Sequence, residues 1–338
     1  CTYAIGNLLW NKRTGFLAGI ILATCFGFFG ASRTVIIDIP LTFFTTLAIT
    51  LILYGLKTKN PWFYIWSYVS FSAGIMTKGP VAIIIPGFIF FFYLWKIKQL
   101  SRIKEMKLIP GIIIMAALVV PWFVMAQIRL PWFFEFFFIR EHAERFLTKV
   151  HHRSGPMYYY IPIVLIGLFP WIWFLSAALK KIKISDKLTS WWNDPSRFFV
   201  FTWFFVGFVF FTMANSKLPS YLIPYIVPVT LLIASWWDRI LSGDNDTQWI
   251  SSFSIIMTLF GFGLLVAGFA IPLSKFNPKI QPILGWPMWQ EAILLILMGI
   301  LPHVFSKMKK LSWSFAAIAI CNVSLMFHVA LYDEGPKA

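Results

Sequence analysis

Apolar runs long enough to cross a bilayer recur along almost the whole chain, separated by short polar tracts. A spanning helix needs about 20 mostly apolar residues. Eleven stretches approach that requirement: 14–31, 39–56, 62–77, 81–95, 108–126, 158–179, 198–214, 218–237, 250–272, 291–305 and 312–331. Lipid offers no partner to an exposed N–H or C=O, so segments of this length must close their hydrogen bonds internally as helices. Prolines inside them, such as Pro224 and Pro228, are tolerated where neighbouring helices satisfy the freed carbonyls, and two in one segment suggest a kink. Only 12% of residues are charged and 59% are hydrophobic, whereas soluble domains carry roughly 25% charged residues. Disorder, collagen, coiled coil and an ordinary cytosolic enzyme are excluded. The expected fold is an all-α integral membrane protein, a polytopic helical bundle of about eleven transmembrane helices.

The formal net charge is +16, which in a soluble chain would suggest nucleic acid. Here the Lys and Arg sit in tracts between apolar runs rather than in one stripe, so no nucleic-acid partner is expected. Eighteen of the 29 fall in alternate connections: Lys12 and Arg13, Lys57 and Lys59, 96–107, 180–197, Arg239, and 307–310. The positive-inside rule makes that side cytoplasmic and puts the first span's start there. Cys1, Cys25 and Cys321 have no metal-ligand spacing. The chain opens at Cys1 without Met and shows no signal-peptide pattern, and is expected to be a fragment.

The opposite face gathers the chemistry. Asp38 enters the second span, Lys78 lies in Met76-Thr77-Lys78-Gly79-Pro80, and Lys217 lies in Asn215-Ser216-Lys217-Leu218-Pro219-Ser220-Tyr221. Ionisable groups at the membrane are costly and suggest function. Asp38 can act as a general base or hold a substrate hydroxyl, or it can simply cap a helix. Lys78 and Lys217 can neutralise phosphate or snorkel at helix ends. The longest outer connection, 129–156, opens on the aromatic run 132–138, too short to span and suited to an interfacial helix. It continues through Glu141, His142 and Arg145 to His151-His152-Arg153. His142 beside Glu141 suits part of a metal site or a hydrogen bond to the membrane surface. His151, His152 and Arg153 suit an anion or a basic patch facing headgroups. The loop can wall an active site or anchor at the interface. No nucleotide-binding pattern is present, so an activated substrate would have to arrive by another route, and a lipid carrier fits.

In order, Arg33…Asp38-Ile39-Pro40-Leu41, Met76–Pro80, Pro121-Trp122, Glu141-His142-x-x-Arg145-Phe146, His152-Arg153-x-x-Pro156-x-Tyr158-Tyr159-Tyr160, Pro170-Trp171 and Lys217-Leu218-Pro219-x-Tyr221 resemble the bacterial protein-mannosyltransferase-like glycosyltransferases, above all the lipid A aminoarabinose transferase branch. The resemblance runs from about Gly6 to Tyr225. It implies a GT-C fold with its active site on the periplasmic face of the bacterial inner membrane. It also implies a hydrophobic groove for a polyprenyl-phosphate (undecaprenyl-phosphate-like) sugar donor, and inverting transfer to lipid A, a protein or a glycan. Residues 1–237 would form the catalytic core and 238–338 the C-terminal transmembrane helices, in a monomer among membrane lipids. On this sequence the resemblance assigns Lys78, Arg145, Arg153, Lys217 and Tyr221 to the donor phosphate, and Asp38 to acceptor positioning or base support. It places His142 near a divalent metal (zinc or magnesium), with Glu141, His151 and His152 walling the site. The family's first outer loop, carrying an Asp-Glu pair and a Glu-Lys pair, would precede Cys1 together with two helices, so the chain alone is expected to be inactive. The rival readings are a secondary transporter, whose ionisable groups would lie at the midplane, a lipid-linked oligosaccharide ligase or polymerase, and a structural membrane subunit.

Overall fold

The computed structural model describes residues 1–144, 155–180, 193–270 and 288–333. The helices are α1 (Thr2–Leu9), α2 (Lys12–Ala23), α3 (Phe26–Ser32), α4 (Asp38–Thr58), α5 (Pro61–Lys78), α6 (Val81–Lys96) and α7 (Leu108–Arg129). After a π-helical segment, Glu135–Glu144, come α8 (Tyr160–Gly167), α9 (Trp173–Lys180), α10 (Pro195–Met213), α11 (Ile223–Leu241), α12 (Gln248–Ala270), α13 (Met288–Lys307) and α14 (Leu311–Asp333). Local signals set many of their limits. Asn11, Asn60 and Asp194 accept hydrogen bonds from the first-turn amides of α2, α5 and α10, and prolines follow the last two caps directly.

The expectation of about eleven spans is corrected. Seven described helices are long and apolar enough to cross a membrane, and α2 with α3 makes an eighth if that pair, bent by 63°, is one span. Three expected spans fall short for identifiable reasons. The stretch 62–77 is a helix, but Ser67, Ser70, Ser72 and Thr77 dilute its apolar character. The stretch 81–95 forms a helix of 16 residues, below spanning length. The stretch 158–179 breaks into α8 and α9, because Pro170 lacks the amide a continuous helix needs there. That break meets the one between α2 and α3: Phe26 N donates to Phe169 O (3.2 Å) and Trp171 Nε1 to Thr24 Oγ1 (2.8 Å). Asn322 of α14 donates to Thr24 O in the same place. Each break thus satisfies backbone groups freed by the other.

The apolar helices are layered around α11. The most apolar stretch of Pro219–Leu241 is 94% buried, against 11% for α7. Trp236 and Trp237 of α11 pack ring against ring with Phe174 of α9, which also meets Phe253 of α12. Helix α7 touches the bundle through α5, where Gly111 admits the Tyr68 ring at a distance any Cβ would forbid, and Tyr68 Oη donates to Met106 O (2.8 Å). Helices α12, α13 and α14 pack chiefly against one another. An exposed apolar belt, including Ile109, Ile112 and Ile113 of α7 and Leu259, Phe260 and Val266 of α12, fits a lipid-facing surface. This is a multi-pass, all-α membrane bundle.

The two ends of the bundle carry different chemistry. At one, Arg13 bonds to Asp238 and Ser242, Asn11 Nδ2 donates to Asp238 Oδ2 (2.8 Å), and Ser196 Oγ donates to Leu9 O (2.9 Å). These contacts tie the α1–α2 turn to α10 and α11 at the end where the basic tracts lie. Asp38, Lys78 and Lys217 are at the other end.

Candidate functional site

Helix α5 stops at Lys78 because Gly79 takes φ +86°, a left-handed value that strains any residue with a side chain. Its amide closes on Ile75 O (2.7 Å), and Pro80 opens the next turn. Helix α4 starts at Asp38. These two ends lie side by side, and the Lys78 ammonium donates to the Asp38 carboxylate. Asp38 is buried, its side chain 6% exposed against 17% for that of Lys78. The pair is therefore well shielded from solvent, and removing one partner alone would cost more than breaking a surface ion pair. The same ammonium sits 4.1 Å from the centroid of the Tyr221 ring, a cation–π contact.

Tyr221 comes from the 3-10 turn Pro219–Leu222 that leads into α11. Its ring packs on Phe211, centroids 5.0 Å apart, and Phe211 also meets Tyr225 at 5.8 Å. Lys217 is buried just before that turn. Its Nζ donates to Thr212 O (2.6 Å) and Ala214 O (2.8 Å), the terminal carbonyls of α10, and lies 5.8 Å from the centroid of the Tyr160 ring. Burial holds this ammonium below the ordinary lysine value.

Beside Lys217 opens a cavity of about 500 Å³ lined by Gly155, Pro156, Met157, Thr212, Met213 and Asn215, among others. A second, apolar trough of about 440 Å³ runs between α6 and α10, walled by Phe92, Trp95, Phe198, Phe201, Phe205 and Phe210. Met213 lines both. An apolar trough on the bundle's side and a polar cavity at its charged end thus share the Met213 side of α10.

Of the residues singled out from sequence, the structure brings together Asp38, Lys78, Tyr221 and Lys217. Arg145, His151, His152 and Arg153 lie outside the described residues, as does the side chain of His142. Glu141 lies in the π-helical segment, which α7 carries on a ring cluster of Phe123 with Phe133, Phe137 and Phe138. Sequence reasoning missed Tyr160 and Phe211, the rings against Lys217 and Tyr221. The Tyr158-Tyr159-Tyr160 run was a signal for the first; Phe211 lies in an aromatic helix with nothing to mark it. Among the described residues no three His, Cys, Asp or Glu side chains gather as a metal site.

Comparisons with known proteins place this geometry in context. The family model for dolichyl-phosphate-mannose-protein mannosyltransferase matches residues 1–125. Undecaprenyl phosphate-alpha-4-amino-4-deoxy-L-arabinose arabinosyl transferase 2 of Proteus mirabilis (strain HI4320) is 29% identical over 343 residues, covering 97% of this chain and 59% of that protein. The corresponding transferase of Yersinia pestis (strain Pestoides F) is 31% identical over 324 residues, covering 93% and 57%. The crystal structure of ArnT from Cupriavidus metallidurans bound to undecaprenyl phosphate superposes with a TM-score of 0.80 at 22% identity, over 98% of this chain and 60% of that one. Its apo state gives 0.76. The chain therefore spans about three-fifths of the length of such relatives.

Proposed function

We propose that this chain, whose fold matches that of an aminoarabinose transferase and whose sequence is similar to such transferases, forms part of an inverting GT-C glycosyltransferase that moves a sugar from a polyprenyl-phosphate donor to a membrane-associated acceptor. The acceptor class is lipid A, a protein or a glycan. The reaction would take place at the outer face of a bacterial inner membrane. One observation carries this reading: the Asp38–Lys78 pair, seated on Tyr221, lies at the same end of the bundle as the cavity beside Lys217, and the phenylalanine-walled trough shares Met213 with that cavity. A polyprenyl tail suits the phenylalanine-walled trough, and its phosphate then comes to rest beside the cations.

In this reading the acceptor hydroxyl attacks the anomeric carbon, forming the new C–O bond as the bond to the phosphate oxygen breaks. Negative charge grows on the departing polyprenyl phosphate, and cations aimed there lower the barrier. Lys78, with Arg145 and Arg153 of the outer loop, supplies that charge, and the Tyr221 hydroxyl donates to a phosphate oxygen. Asp38 fixes Lys78 and supports acceptance of the hydroxyl proton. Glu141, His151 and His152 keep the wall role that the family resemblance assigns them, and His151 and His152 lie outside the described residues. A divalent ion held at His142 would supply Lewis-acid charge toward the phosphate; no step above depends on it.

The transporter reading draws on the two broken helices that meet at Thr24 and Phe169, since interrupted helices mark transporter sites. The side chains that bond there, Thr24, Trp171 and Asn322, are neutral, while the paired charges lie at the end of the bundle.

The test is transfer by the full-length protein in liposomes from a radiolabelled polyprenyl-phosphate sugar, with Asp38→Asn, Lys78→Met and Tyr221→Phe variants. The first two are expected to lose at least about a hundredfold and the third about tenfold. Wild-type rates in all three would discard this site.

A further inference from the structure

The turn that presents Tyr221 is held by Lys217. A helix ends with carbonyls that lack intrahelical partners, and a lysine near that end can satisfy them and complement the helix dipole. Lys217 does this for α10 from outside the helix, donating to Thr212 O (2.6 Å) and Ala214 O (2.8 Å). Two of the three N–H groups an ammonium carries are thereby committed to backbone, and one face of the ammonium lies toward the Tyr160 ring, 5.8 Å away. The side chain is enclosed: an added Cβ at Gly155 would come within 3.3 Å of Lys217 Cδ. The residues next in chain build the turn, with Tyr221 N closing on Leu218 O (3.2 Å).

Contacts then run from Lys217 to the reacting group in short steps. The carbonyls it holds flank the last turn of α10, next to Phe211. The Phe211 ring backs Tyr221 at 5.0 Å, the Tyr221 ring supports the Lys78 ammonium at 4.1 Å, and Lys78 holds Asp38. We infer that Lys217 is a positioning residue rather than a phosphate ligand: by tying off the end of α10 it fixes Tyr221 beneath Lys78, and so sets where the donor phosphate meets its cations. This rests on the reading of Asp38, Lys78 and Tyr221 as the reacting group.

The two roles for Lys217 rank its substitutions in opposite orders. A cap needs a slender donor that reaches backbone carbonyls, and its charge is secondary. A phosphate ligand needs positive charge, and arginine supplies that with additional donors. The full-length protein is therefore assayed in liposomes for transfer from a radiolabelled polyprenyl-phosphate sugar as wild type, Lys217→Gln, Lys217→Arg and Lys217→Met, on protein that elutes as a folded peak. The expected order is Lys217→Gln within about threefold of wild type, with Lys217→Met down at least about tenfold, the loss anticipated when buried carbonyls go unsatisfied, and Lys217→Arg down as far because its broad fork overfills the buried site. If Lys217→Met fails to fold, the order of Gln against Arg decides alone.

A coupling experiment separates positioning from general destabilisation. Lys217→Met is expected to cost at least about tenfold in wild type but less than about twofold in a Tyr221→Leu background, where the ring it positions is gone. Equal losses in both backgrounds, or activity retained by Arg and lost by Gln, would overturn the inference. Should Asp38→Asn and Lys78→Met leave transfer intact, the site reading itself fails; should they abolish it while Arg outperforms Gln, only the role of Lys217 falls.

Discussion

Removing both members of the Asp38–Lys78 pair is expected to harm the fold less than removing either one, while leaving the protein inactive. Breaking a buried pair costs about 3–5 kcal/mol because the survivor keeps its desolvation penalty without its partner. The two survivors differ. Lys78→Met strands a carboxylate whose side chain is only 6% exposed, so the loss should lie near the full range. Asp38→Asn strands an ammonium that is 17% exposed and still rests 4.1 Å above Tyr221. A desolvated cation–π contact returns up to about 2 kcal/mol, so this loss should be near half the other. The double variant Asp38→Asn/Lys78→Met buries no charge and should fall within about 1–2 kcal/mol of wild type. The assay is the denaturation midpoint in mixed detergent micelles, read beside sugar transfer in liposomes. Expected are a large, a moderate and a small loss of stability for Lys78→Met, Asp38→Asn and the double variant, with transfer abolished in all three. A double variant whose stability loss equals the sum of the singles would refute the pairing, since independent sites add.

Other positions give sharper local tests. Gly111→Val should drive α7 off the Tyr68 ring, costing about 1–3 kcal/mol of overpacking, and Tyr68→Ala added to it should restore part of the lost denaturation midpoint. Phe205→Ser in the trough removes a ring that a lipid tail would cover. Burying such a ring contributes up to about 3 kcal/mol and Phe205 is half exposed, so donor KM should rise about fivefold for a long isoprenoid and stay level for a donor of about two units. The Lys217 ammonium is held below its ordinary value of 10.5. The folded protein then binds fewer protons there than the unfolded chain between the lowered value and 10.5, so its contribution makes stability rise with pH across that window. Lys217→Met should remove that rise from the pH dependence of the denaturation midpoint.

The membrane class and the gathering of ionisable groups at one face were legible in the sequence, because apolar length and basic-tract alternation are local patterns. The Gly79-Pro80 stop after Lys78 was equally local. The span count was less so. Pro170 sits within an apolar run that hydropathy treats as continuous, and only the bend shows that its freed backbone groups are met by the break near Thr24. The pairing of Asp38 with Lys78 joins residues forty positions apart, and periodicity says nothing about which helix ends meet. Lys217 was singled out in the sequence, but its grip on Thr212 and Ala214 carbonyls depends on how the chain turns after α10. A phosphate cation and a helix cap look alike until the fold is known.

The most direct measurement of the central proposal is the stoichiometry of donor consumption by the full-length protein in liposomes. A polyprenyl-phosphate sugar carrying separate labels on sugar and lipid is supplied with lipid A, protein and glycan acceptors. The expected result is label moved to one acceptor class, with one polyprenyl phosphate released per sugar transferred and none without acceptor. Sugar flux across the liposome wall with the lipid donor untouched would contradict the glycosyltransferase reading and make the bundle a transporter.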